Sequence, residues 1–249
     1  MMLDAQITQG AGLHALAVRG GPRIVALTSH GDKAAELPLI WRLCQAWNEL
    51  DYNLSVLDVT AAETERNPGL LQLLAQPGTT LPPLPQPLAW PIVPAARGWP
   101  RLQTAASPAA RQLGALFHDD DVLLVYATPE SLVQVFPDQA LGPVLTTAAP
   151  GSSVLEAYQA LKLMLLNSQL RPTIVATVDT PLQPLEASHP GLTLQQCAQA
   201  FLGRSPDLIE IPEHGGDTQQ MHSLALRLLE TALPAPTRPP RPDDPQRSH

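Results

Sequence analysis

The sequence predicts an α/β domain with a mostly parallel central sheet of about seven strands and helices on both faces. Three observations predict it. A short β-branched apolar run, Arg23 to Thr28, is followed by Leu37, Ile40, Cys44 and Trp47 at helical spacing and then by a second apolar run, Leu54 to Leu57, that ends at Asp58. That order of strand, helix and strand is half of a parallel α/β sheet. The chain of 249 residues is 44% hydrophobic, which suits one domain with a substantial core.

The elements follow in order. Residues 1–20 form an N-terminal segment in which Leu13 and Leu16, with Ala17, mark one side of a short helix. After Asp58, Pro68 to Leu74 is a short apolar helix. The proline-rich passage that follows cannot be a regular helix. Most of it is loop, and prolines this frequent place any strand within it, such as Ala89 to Pro94, at a sheet edge. Ala109 to Phe117 is a helix leading through His118-Asp119-Asp120-Asp121 to the strand Val122 to Tyr126. Three consecutive carboxylates point in different directions, so that run reads as a solvated loop and not as a metal site. Gly142 to Thr147 is a strand, and Val154, Ala157, Tyr158, Leu161, Met164 and Leu165 share one face of the next helix. Pro172 to Val178 is a buried strand, Leu192 to Phe201 a helix and Asp207 to Pro212 a last short strand. Met221 to Leu233 closes the domain of residues 21–233, and Pro234 to His249 reads as a disordered proline-rich tail.

The stretch Arg23 to Asp58 resembles the first βαβ unit of the MinD/ParA-type P-loop ATPases. In that family a deviant Walker A loop, K-G-G-x-G-K-[ST], follows a strand ending in a Thr-Ser pair, which Thr28-Ser29 match, and the strand-end aspartate falls on Asp58. Ala157, Tyr158, Leu161 and Lys162 resemble a later helix of the family, and Pro94, Ala95 and Gly98 resemble the end of its third strand. Gln9, Gly10 and Leu13 resemble part of a D-Q-A-x-x-L-R element in the flagellar branch, the FlhG (FleN) proteins, with Thr8 and His14 departing from it. The resemblance implies a P-loop NTPase-like fold of the deviant Walker A class. It also implies a role in flagellar placement or number control, with the SRP-type GTPase FlhF or another MinD/ParA-like protein as partner through Gln9, Leu13 and Leu16.

The loop chemistry departs from the family. Its signature lysine falls on Gly31, its paired glycines on Asp32 and Lys33, its later glycine on Ala35, its phosphate-binding lysine on Glu36 and its magnesium-ligating hydroxyl on Leu37. The Walker B aspartate falls on Val125, and Thr60 replaces the second acid after Asp58. Glycines let backbone N–H groups wrap phosphates, while the lysine and hydroxyl hold the terminal phosphates and Mg²⁺. A glutamate in place of the lysine turns an attraction of roughly 4 kcal/mol at about 4 Å into a repulsion of similar size. Its carboxylate suits the N-terminus of the following helix and can fill the niche of a phosphate. Pro38 is expected in the first turn of that helix. Asp58 reads as a strand-end turn cap.

These positions predict a pseudo-ATPase with no catalytic residue, no cofactor and no metal. Two other readings are an active hydrolase with relocated ligands and a BcsQ-like scaffold subunit of a cellulose or other envelope secretion system. His214 has no nucleophile placed with it by motif. The formal charge of −8 and absence of a basic patch argue against nucleic-acid binding. No run of about 18 apolar residues and no signal-like N-terminus is present, and the last helix lacks the basic face of a membrane anchor, so the expected place is the cytoplasm, with recruitment to the pole or inner membrane by partners. Cys44 and Cys197 lie on helix faces without zinc-ligand spacing and are expected as buried thiols.

Overall fold

The computed structural model describes residues 20–78, 89–105, 107–148, 154–178, 189–212 and 218–236. The N-terminal segment with Gln9, Leu13 and Leu16, the loop containing His214 and the last thirteen residues of the chain lie outside the described residues.

The chain alternates strands and helices as β1 (Arg23–Thr28), α1 (Lys33–Glu49), β2 (Leu54–Asp58), α2 (Leu70–Ala75), β3 (Ile92–Pro94), α3 (Arg101–Thr104), α4 (Ala109–Leu116), β4 (Val122–Ala127), α5 (Pro129–Val135), β5 (Val144–Ala148), α6 (Val154–Asn167), β6 (Thr173–Val178), α7 (Pro190–Leu202), β7 (Asp207–Pro212), α8 (Thr218–Glu230) and β8 (Leu233–Pro234). The strand order is β3-β2-β4-β1-β5-β6-β7, all parallel. β3 and β7 are the edges, as the prolines around β3 predict.

Alternation along the strands feeds two cores. Val25 and Leu27 join Leu39, Leu43, Cys44 and Trp47 of α1 and Met221, Leu224 and Leu228 of α8 on one face. Ile24 and Ala26 join Leu70, Leu102, Leu113 and Leu132 on the other, where α6 and α7 continue the layer over β5 and β6. The sheet therefore carries helices on both sides. The Trp47 indole N–H donates to the Ala225 carbonyl at 3.1 Å and ties α1 to α8.

Three expectations are corrected. The buried face of α1 runs through Ala35, Glu36, Leu39, Leu43, Cys44, Ala46 and Trp47, so Leu37 faces solvent. Helix α1 begins at Lys33, which puts Pro38 in its second turn, where its missing N–H leaves the exposed Ala34 carbonyl without a helical donor. The domain also continues past Leu233. β5 meets β1 only at Leu27↔Val144, and the free lower half of that edge is taken by β8, antiparallel, with Ile24↔Leu233 and Arg23↔Pro234. Ala235 is fully buried and its N–H donates to the Pro22 carbonyl at 2.9 Å, so Pro234 and Ala235 belong to the domain and not to a tail. Cys44 is buried, with burial pushing its thiol up to about 12, and Cys197 is half-buried.

Candidate functional site

β1 lies between β4 and β5, where successive connections leave toward opposite edges of the sheet, and ligands of open α/β sheets bind beyond the carboxyl ends of strands at such a switch point. The loop Ser29–Asp32 sits there. Asp32 caps α1 by accepting from the Ala35 N–H at 3.3 Å, which starts the helix directly after the loop. Gly31 has φ +107°, a backbone that β-carbon-bearing residues rarely adopt, and this turns its N–H back over the helix end.

That N–H meets Glu36. One carboxylate oxygen, Oε1, accepts from the N–H groups of His30 at 2.9 Å and Gly31 at 3.1 Å. The other, Oε2, accepts from the Tyr126 hydroxyl, and the single proton of the Ser29 hydroxyl is shared between Oε2 at 3.3 Å and the Tyr126 oxygen at 3.0 Å. Glu36 is 0% exposed, so a buried carboxylate is satisfied by four donors and by the positive end of α1. Burial and the Glu36 carboxylate hold the Tyr126 phenol above its ordinary range and keep it a donor. His30 closes the far side. Its Nε2 donates to the Thr146 carbonyl at 2.9 Å and lies 3.7 Å from Glu36 Oε1, while its buried Nδ1 has no partner among the described residues.

The other positions fall as follows. Ala35 is buried beside Glu36, and Leu37 is 49% exposed on the outer side of α1. Asp58 Oδ1 accepts from the Thr60 N–H at 2.8 Å and hydroxyl at 2.7 Å, the turn cap that its strand-end position predicts. Val125 is fully buried in the core on the sheet face opposite α1, so it does not reach the loop. Tyr126, one place on, does. Alternation along Val122, Leu124 and Tyr126, which share the α1 face, was the signal for it. His30 had none, because its partner Thr146 is 116 residues away.

A second buried carboxylate stands behind the site. Glu63 is 1% exposed, and it accepts from the N–H groups of Leu71 at 3.1 Å, Gly98 at 2.8 Å and Arg97 at 2.7 Å. It thereby joins the segment after β2 to the start of α2 and the turn after β3. The His118–Asp121 run lies at the opposite, amino-terminal ends of the strands, where Asp121 accepts from the Asn53 N–H at 3.0 Å and burial pushes the Asp120 carboxyl up. Among the described residues no group of three or more His, Cys, Asp or Glu side chains is placed to hold a metal ion, and no helix is long and apolar enough to cross a membrane.

No protein-family model matches the sequence, and no curated protein matches it. Solved structures do match the fold. Cobyrinic acid a,c-diamide synthase from Mycobacterium smegmatis, with bound ATP analogue and magnesium, is similar at 16% identity over 88% of this chain and 100% of that chain, with a TM-score of 0.55. The same enzyme with bound ADP and magnesium gives 14% identity, 88% and 100% coverage and a TM-score of 0.53. The fold is P-loop NTPase-like. The MinD cell division protein of Aquifex aeolicus matches at 13% identity over 85% of this chain and 98% of that chain, with a TM-score of 0.49.

Proposed function

We propose that the chain is a nucleotide-independent, FlhG-like protein of the MinD/ParA type, a binding or regulatory module in flagellar placement or number control and not an ATPase. The observation that carries this reading is the Glu36 carboxylate, which takes the His30 and Gly31 N–H groups at 2.9 and 3.1 Å at the start of the 17-residue helix α1. Those are the donors that a loop of this kind turns toward a phosphate. A phosphate charge about 4 Å from Glu36 would be opposed by roughly 4 kcal/mol at an effective dielectric near 20. Leu37 and Val125 supply neither a hydroxyl nor a carboxylate for Mg²⁺.

The partner is the GTPase FlhF or another MinD/ParA-like protein, engaged through Gln9, Leu13 and Leu16, and it brings the protein to the cell pole or inner membrane. A helix of about ten residues is too short to hold alone in water and gains order when its apolar side is covered.

Calorimetric titration with Mg-ATP and Mg-ADP tests the first half. No heat of binding is expected, and a Kd below about 100 μM, roughly −5.5 kcal/mol, would favour a hydrolase with relocated ligands instead. Pull-down of the GTPase by wild type and by the Leu13→Ala, Leu16→Ala double variant tests the second. Loss of a buried anchor costs on the order of 2 kcal/mol, about thirtyfold in affinity, and equal recovery by both proteins, or by neither, would remove the N-terminal segment from this role.

A further inference from the structure

Helix α1 has a second apolar stripe besides the one it buries. Two rows of residues four apart run down its outer side, Lys33–Leu37–Trp41 and Ala34–Pro38–Arg42. Leu37 is 49% and Trp41 53% exposed, and Ala34 and Pro38 are exposed between them. Trp41 does not swing free. Its ring lies 5.0 Å from that of buried Trp90 at 58°, so an exposed indole is held in place by a second one beneath it. Ile92, two residues beyond Trp90, is 38% exposed, and since Val93 packs into the opposite core, Ile92 faces the α1 side. The stripe thus continues from the rim of the Glu36 site to the edge strand β3.

Among the described residues, the free charges of α1 that border it are cationic although the protein carries −8 overall. Lys33 stands above Leu37 and Arg42 beside Trp41, about 14 Å apart along the helix at 1.5 Å per residue. Asp32 is turned to the Ala35 N–H and Glu49 to His222 at 2.9 Å, and Glu36 is enclosed, so the acids of α1 and its cap are engaged elsewhere. Arg42 gives one Nη to the Pro212 carbonyl at 3.0 Å, and among the described residues no carboxylate is paired with it.

We propose that this stripe docks an acidic amphipathic helix of a partner protein, with leucine-type side chains against Leu37 and Trp41 and carboxylates meeting Lys33 and Arg42. A pinned, half-exposed tryptophan is a preorganised anchor, because little freedom remains to be lost when it is covered. Rows four apart on both helices interdigitate at their commonest crossing angle, which brings acids about two and a half turns apart on the partner to the two cations. The inference rests on the binding-module reading for its context, yet nucleotide binding by the wild type would leave it standing.

The protein reports on it directly. Of its four tryptophans, Trp47, Trp90 and Trp99 are buried, so accessibility to iodide or acrylamide reads Trp41. The probe is a labelled synthetic helix with leucines at i, i+4 spacing flanked by glutamates, compared with the same peptide carrying lysines. The acidic peptide is expected to bind, shield Trp41 from quenchers and weaken at least tenfold between low and high salt. By label anisotropy, Leu37→Ser with Trp41→Ser should reduce affinity at least thirtyfold and Lys33→Glu with Arg42→Glu at least tenfold, all with wild-type melting curves. Equal binding of both peptides, or binding indifferent to these substitutions, would overturn the proposal. So would Trp41 becoming shielded with rising protein concentration alone, which assigns the stripe to a second copy, or on anionic vesicles, which assigns it to a membrane surface.

Discussion

Removing the Glu36 carboxylate tests the site most directly. In Glu36→Ala the His30 and Gly31 N–H groups lose their acceptor, while the Ser29 and Tyr126 hydroxyls keep one hydrogen bond between them at 3.0 Å and the second hydroxyl proton must turn elsewhere. Gly31 is exposed and recovers water, so it contributes about 1 kcal/mol, and half-buried His30 about 2 kcal/mol, for a loss of roughly 3 kcal/mol. A domain of this size loses about 2–4 °C per kcal/mol, so Tm should fall by about 6–12 °C. Glu36→Gln keeps a carbonyl for both N–H groups and offers its amide to hydroxyl oxygens that can accept, so about 1 kcal/mol is expected. Glu36→Lys places a cation against two donors and should be the worst of the three. Acetate or phosphate should restore Glu36→Ala selectively, by about 1.4 kcal/mol at tenfold its Kd. Thermal and urea unfolding measure all of this. An alanine variant within about 1 kcal/mol of wild type would refute the reasoning, as would a glutamine variant as damaged as alanine.

Four further outcomes are expected. Glu36→Lys should show no multi-turnover ATPase activity in a phosphate-release assay, because the loop glycines and a Mg²⁺ ligand would still be missing. Truncation after Pro236 should leave Tm within about 3 °C of wild type, whereas truncation after Leu233 removes buried Ala235 and its bond to Pro22 and should cost at least about 2 kcal/mol in urea unfolding. Glu63→Ala should speed hydrogen exchange at the Leu71, Arg97 and Gly98 amides by at least about tenfold, with Glu63→Gln milder. Because the Tyr126 phenol is raised, its proton is held more tightly in the folded state; its contribution is full below about pH 10 and is lost as pH rises toward the folded value. The fall in unfolding free energy above about pH 10 should therefore be shallower in Tyr126→Phe, with Tyr52 and Cys44, also raised by burial, among the groups that supply the remainder.

Most of the sheet was legible because its strands are apolar runs separated by helices long enough to show a period. α3 and α5, of 4 and 7 residues, are too short for one. The facing of α1 was misread for a physical reason. Cys44 and Trp47 are buried as their spacing predicts, but in the first turn the buried place belongs to Glu36, and apolar Leu37 beside it looked like the core residue. β8 is two residues long and ends in proline, which reads as tail until the half-open edge of β1 is seen. Within the site, Glu36 was legible because helix start and carboxylate are adjacent in sequence. Tyr126, His30 with Thr146, and Glu63 with its three amides were not, since each depends on partners 34 or more residues away or on which strand face meets α1, apart from the Leu71 amide eight residues on.

The difference between a loop that waits for a ligand and one that holds its own is a matter of which state has free energy left to give. A ligand shifts a conformational equilibrium only by its differential affinity for the two states. Here the donors that would supply that difference already face Glu36, which is delivered by the helix itself. A phosphate would first have to displace the carboxylate, and about 3 kcal/mol of lost contacts lowers affinity by roughly two hundredfold, turning a 10 μM site into one of about 2 mM. Glu63 does for the segments after β2 and β3 what Glu36 does for the loop after β1, holding backbone donors that no ligand is then needed to order. The carboxyl ends of β1, β2 and β3 are thus fixed from within. On the reading proposed above, regulation comes from what binds the outside of α1 and not from hydrolysis at its base.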